Sequence, residues 1–210
     1  MKDPDTADFR AHGPLPVPNR TGHEPILDAN GSALGTLTSF WQWAYSQTLE
    51  NNQRGVFAEY LVGLALNAVR GQHRVEWDAY DLKTPDGITV EVKSSAYLQS
   101  WPQETPSQLK FGIAETKGWT AETNLYAESA SRKAQVYVFC VLTAVDPATV
   151  DPLDTRQWDF YAVPSSQLND EFGHQKSISL SQLLARLNPE KLTFNQLEAA
   201  VRDAGFYPRA

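Results

Sequence analysis

The sequence predicts a mixed α/β (α+β) fold, a central mixed β-sheet flanked by helices, on three observations. The stretch "AQVYVFCVLTAV" (134–145) is continuous, β-branched and aromatic, as a strand buried on both faces must be. "DLKTPDGITVEVKSS" (81–95) reads as two strand segments joined by a Pro-Asp-Gly turn. Helical and strand patterns alternate without an internal repeat, in the order helix, strands, helix, strand, strand, helices.

Taken in order, residues 1–35 are rich in Pro, Gly and turn formers and predict an irregular N-terminal arm. Residues 36–210 predict one domain, with its core at about 52–163 and C-terminal helices within 179–205. "TLTSFWQWAYSQTL" (36–49) spaces Phe40, Trp41, Ala44 and Tyr45 as a helix does, and "GVFAEYLVGLALNAV" (55–69) predicts a second helix. "HRVEWDAYDL" (73–82) and "ITVEVKSS" (88–95) form the hairpin, and "SQLKFGIA" (107–114) predicts a further strand. Residues 115–133 are polar and mixed, and are assigned to loop and helix. "QWDFYAVP" (157–164) is another strand, followed by the helices "SLSQLLARL" and "TFNQLEAAVRDAG", each opened by Ser or Thr.

A chain of 210 residues with 41% hydrophobic and 20% charged residues can bury a substantial core. No apolar run reaches the roughly 18 residues that span a bilayer, and the N-terminus lacks the apolar block of a signal peptide. Cys140 is the sole cysteine, which excludes an internal disulfide and a thiolate zinc cluster. These features predict a cytoplasmic protein with no membrane attachment. The net charge of −7 argues mildly against a nucleic-acid binder, yet residues 83–133 carry 6 basic and 6 acidic groups, so the objection does not reach that segment.

Within a strand over 88–95, Val90 and Val92 take one face while Glu91, Lys93 and Ser95 share the other. An E-x-K triplet alone carries little, and the chain holds a second copy at Glu115 and Lys117. Only the copy at 91–93 has flanking valines and an acid, Asp81, ten residues upstream across a turn. An antiparallel hairpin brings those positions together. Two carboxylates and a lysine on one sheet edge suit metal-assisted phosphodiester hydrolysis. Asp81 and Glu91, with the Val92 carbonyl, would hold Mg²⁺, or Mn²⁺ in its place, and Lys93 would orient a water and stabilise developing charge. Glu59 is the single charge in residues 55–69, so its carboxylate is expected to point inward. Arg54, Arg70 or Lys93 could pair with it; the sharper expectation places it within one water of the metal.

The helix with Glu59, then "WDAYDL", a turn, "TVEVKSSAYLQSW" and "VYVFCVL" together resemble the PD-(D/E)xK nuclease superfamily, which has the restriction-endonuclease-like core. The resemblance spans about residues 52–163. It implies Mg²⁺-dependent cleavage of DNA, less often RNA, of a restriction, genome-defence or repair type. Asp81 matches the motif aspartate, Glu91 and Lys93 the E-x-K, and Glu59 the acid of the preceding helix. Tyr80 stands where the motif has proline, and Asp78 is an alternative to Asp81 that a strand-end bulge could present. A nuclease-fold binding module without catalysis is the alternative function, and a homodimer is an open alternative for assembly. Ser95, Gln99, Gln103, Arg132 and Lys133 are expected to contact nucleic acid, with Trp101 stacking on a base.

Overall fold

A computed structural model describes residues 17–69, 73–74, 79–117, 119–120, 125–126 and 129–206. The chain divides into two compact units, residues 1–42 and 43–210. In the first, the stretch expected to be irregular contains an antiparallel hairpin of β1 (Pro25–Leu27) and β2 (Ala33–Thr36). Its turn forms because the Asp28 carboxylate accepts the N–H groups of Asn30 and Ser32. Helix α1 (Leu37–Tyr45) follows and continues into the second unit.

The second unit is built on a four-stranded mixed sheet. β3 (Leu82–Lys83) pairs antiparallel with β4 (Thr89–Ala96), β4 parallel with β8 (Val136–Leu142), and β8 antiparallel with β9 (Trp158–Pro164). All seven residues of β8 are buried, which explains why its sequence shows no polar alternation. One face of the sheet presents Val90, Val92, Val136, Val138 and Cys140 to α2 (Asn51–Ala65) and α5 (Leu197–Gly205). The other presents Tyr137, Phe139 and Val141 to α3 (Ser165–Phe172), α4 (Leu180–Leu187) and a two-stranded sheet of β5 (Lys110–Gly112) and β10 (Ser177–Ser179). Each fully buried Val, Leu or Phe contributes about 1.5–3 kcal/mol, so these two apolar layers hold the sheet between them.

The β3–β4 turn follows from its residues. The Thr84 hydroxyl accepts the Ile88 N–H and donates to Asp86, and Gly87 takes a φ of +92°, which residues with a Cβ rarely adopt. One expectation needs correction. Residues 115–133 contain no helix among the described residues: Thr116 bridges Ser131, and the short strands β6 (Trp119–Thr120) and β7 (Leu125–Tyr126) pair. The sequence "SSQLNDEF" forms helix α3. Of the strand expected over 73–82, residues 75–78 lie outside the described residues and β3 begins only at Leu82.

Candidate active site

Asp81 stands immediately before β3. Its N–H donates to the Val90 carbonyl at 3.1 Å, and its Oδ2 accepts the Val92 N–H at 2.7 Å. The backbone groups of one strand residue leave on the same edge, so the Val92 carbonyl also faces the edge that Asp81 occupies. Glu91 and Lys93 lie on the opposite face of β4 from the buried Val90 and Val92, beside Tyr137 and Phe139 of β8. Lys93 Nζ donates to Glu91 Oε1 at 2.5 Å, and both side chains are mostly covered, at 30% and 20% exposure. The hairpin therefore gathers Asp81, Glu91, Lys93 and the Val92 main chain at one sheet edge.

The electrostatics of this group are dominated by burial and like charge. Burial pushes the Asp81 carboxyl up to about 7, and the nearby charges of Glu91 and then Glu59 push the same way, against the Val92 N–H and Lys93. Burial pulls the Lys93 ammonium down, but Glu91, with smaller help from Asp81 and Glu59, outweighs it and leaves the group above its usual range. The residues fit a hard divalent cation, because carboxylates that destabilise one another's ionised forms are relieved by a positive ion between them. Among the described residues, no group of three or more His, Cys, Asp or Glu is gathered closely enough to hold a metal. Two carboxylates and a carbonyl, completed by waters, suit Mg²⁺ rather than zinc.

Glu59 points inward from α2, with its side chain 14% exposed, and its partner is one that the sequence reading did not consider. Arg74 Nε and Nη2 donate to its two carboxylate oxygens at 2.5 and 3.0 Å. Arg74, and not Lys93, is therefore its nearest cation among the described residues. Arg54 is committed elsewhere, to the Leu49 carbonyl, Asn51 and Gln99, and Arg70 and Asp78 lie outside the described residues. Glu59 and Asp81 nevertheless line the same cleft, of about 610 Å³, together with Tyr60, Arg74, Tyr80 and Lys83.

The residues expected to touch nucleic acid fare differently. Arg132 is 8% exposed, and its guanidinium donates to the carbonyls of Ile113, Gly173 and Gln175 and to the Asn169 side chain. That makes it a clamp between the end of β5, the loop before β10 and α3, with these donors turned inward rather than toward a phosphate. Ser95 is buried, and its hydroxyl accepts the Lys110 N–H. Gln99 bonds Arg54 and the Ala96 carbonyl, and Gln103 organises the loop by bonding Gln99, Tyr97 and Ser107. Ser95 thus ties β4 to β5, and Gln99 and Gln103 hold the loop after β4, so these side chains already have partners within the chain. Lys133 reaches the Ser129 carbonyl at 3.5 Å, and Trp101 is 53% exposed.

Sequence reasoning missed two residues at this edge. Arg74 lies 15 positions from Glu59, beyond the three or four that link helix neighbours, so no local spacing announces the pair. Tyr137 stands opposite Glu91 in the parallel register; burial and then the Glu91 charge raise its hydroxyl above the ordinary range. Its signal was the pairing of two strands 46 residues apart, which the sequence does not state.

Among the described residues no helix is long and apolar enough to cross a membrane. No curated protein matches the chain. At the level of families, the model described as bacteriophage T4 endonuclease IV matches residues 39–182, which include Glu59, Asp81, Glu91 and Lys93 and make up more than half of the chain. The protein belongs to the bacteriophage T4 endonuclease IV family.

Proposed function

We propose that the protein is a Mg²⁺-dependent endonuclease that hydrolyses phosphodiester bonds in DNA, with its active site at the β3–β4 edge. The observation that carries this reading is the Asp81–Val92 hydrogen bond, which sets a second carboxylate beside the Glu91–Lys93 pair. Membership of an endonuclease family supports the reaction class. A mixed sheet with this E-x-K strand supports the resemblance to the PD-(D/E)xK superfamily.

Asp81, Glu91 and the Val92 carbonyl would hold the cation. When bound, Mg²⁺ supplies a Lewis acid for the phosphate and lowers the pKa of a coordinated water. The chain's own part is to keep Asp81 oriented through the Val92 N–H and to aim Lys93 at the attacked phosphate. The Lys93 ammonium stays protonated there and stabilises negative charge that grows on the phosphoryl oxygens. Asp81 must give up its proton for the site to load, which favours neutral to alkaline conditions.

The test is a cleavage screen of the full chain on plasmid DNA and on deoxy- and ribo-oligonucleotides with Mg²⁺, Mn²⁺ or EDTA. DNA cleavage that needs the divalent ion and falls by about 10²–10³ in Lys93→Ala is expected. Cleavage that persists in EDTA overturns the metal dependence. Binding without cleavage by the wild type would favour a nuclease-fold binding module.

A further inference from the structure

The cleft that Glu59 and Asp81 share has a chemistry that the acids do not use. Beyond those two residues its walls carry Tyr60, Tyr80, Lys83 and Arg74. Tyr60 is 49% exposed on α2, where Leu64 is the other exposed large apolar side chain; its ring lies 6.5 Å from that of Phe57. It adds little to the core, so its ring is available as a surface. Lys83 is exposed on β3, two residues after Asp81. A volume of about 610 Å³ falls in the range of small-molecule sites, roughly 300–1,000 Å³.

A planar apolar wall beside a cation, opening on a phosphodiester-cleaving edge, matches one class of ligand. We propose that this cleft receives a nucleotide of the DNA strand adjoining the cleaved phosphodiester, its base stacked on Tyr60 and its phosphate drawn toward Lys83. The inference rests on the nuclease reading above and adds the place where the substrate strand is gripped. Arg74, bound to Glu59 by two hydrogen bonds, lines the same cleft. A base stacks on an aromatic ring regardless of its identity, and the phosphate contact is sequence-independent, so this grip gives affinity without base choice.

The experiment pairs steady-state cleavage of a short oligodeoxynucleotide with anisotropy of its fluorescein-labelled form in EDTA. The variants are Tyr60→Ala, Tyr60→Phe and Lys83→Ala, each checked for an unchanged melting temperature. Tyr60→Ala is expected to raise KM and weaken binding roughly tenfold or more, while kcat stays within about twofold. Tyr60→Phe keeps the ring and behaves as wild type. Lys83→Ala weakens binding and lowers the salt dependence by about one phosphate contact. Unchanged affinity in both Tyr60→Ala and Lys83→Ala overturns the proposal, as does a loss confined to kcat. A wild type that binds but never cleaves would instead overturn the nuclease reading, and the anisotropy series would still judge the cleft.

Discussion

The Asp81 carboxylate accepts the backbone N–H of Val92, the residue between Glu91 and Lys93, at 2.7 Å. With the Asp81 N–H bond to the Val90 carbonyl, it couples the acid before the turn to the strand after it. It only partly offsets what burial and the charges of Glu91 and Glu59 cost the ionised form, so the carboxyl is pushed from its ordinary 3.8 up to about 7. Between those values the native chain holds a proton that the unfolded chain has released. Stability therefore falls as pH rises through this window and levels off above about 7. Thermal unfolding in EDTA across pH 4 to 8 should show this fall in the wild type and a flatter profile in Asp81→Asn. At the alkaline end the variant should be the more stable of the two; adding Mg²⁺ should raise the wild type and leave Asp81→Asn unmoved. Equal profiles would mean that Asp81 ionises freely.

Glu91 and Lys93 are predicted to matter to the reaction and little to the fold. Val90 and Val92 carry the packing, and loss of the mostly covered ion pair is offset in part because removing Glu91 relieves its repulsion of Asp81. Glu91→Ala should abolish divalent-dependent cleavage, and Lys93→Ala should lower kcat by about 10²–10³. Both should unfold within a few degrees of the wild type. Cleavage by Glu91→Ala at the wild-type rate would remove that acid from the site.

What could be read in advance was whatever local chemistry dictates. The Pro-Asp-Gly turn, the alternation of β4 and the unbroken apolar run of β8 each imply their own conformation, and the structure has all three. The hairpin at 25–36 was missed because its Asp28-centred turn sits in a run that otherwise looks irregular. Helix α3 was missed because "SSQLNDEF" buries just Ser165, Leu168 and Phe172, too few for a strong period. At the candidate site, the grouping of Asp81 with the E-x-K follows from hairpin geometry and was legible. The Glu59–Arg74 pair and the inward turn of Arg132 depend on contacts 15 to 43 residues apart, which no spacing rule contains.

Removing one like charge should lower the proton affinity of Asp81. Glu91 is the larger electrostatic neighbour and Glu59 the smaller. In ¹³C-detected carboxyl titrations without divalent ion, Glu91→Gln should therefore shift the Asp81 midpoint down further than Glu59→Gln does, with both below the wild type. An Asp81 midpoint unmoved in Glu59→Gln would show that Arg74 fully neutralises Glu59 and would detach that helix acid from the site.

Arg132 provides the sharpest contrast between a residue that holds the fold and one that meets a ligand. Four of its five N–H donors serve four acceptors drawn from the end of β5, from α3 and from the loop before β10. Truncation to Ala removes four bonds, one of them to the carbonyl of the buried Ile113, and each charge-assisted bond of this kind is worth about 1.5–3 kcal/mol. Arg132→Ala should accordingly destabilise the protein by about 3 kcal/mol or more, measured by urea unfolding. Arg132→Lys should recover little, because a single ammonium cannot span acceptors that a planar fork reaches. For the fraction that remains folded, oligonucleotide affinity should equal the wild type, since none of these donors faces solvent ligands. A variant that folds normally but binds DNA weakly would return Arg132 to the phosphate-contacting role that its buried bonds now deny it.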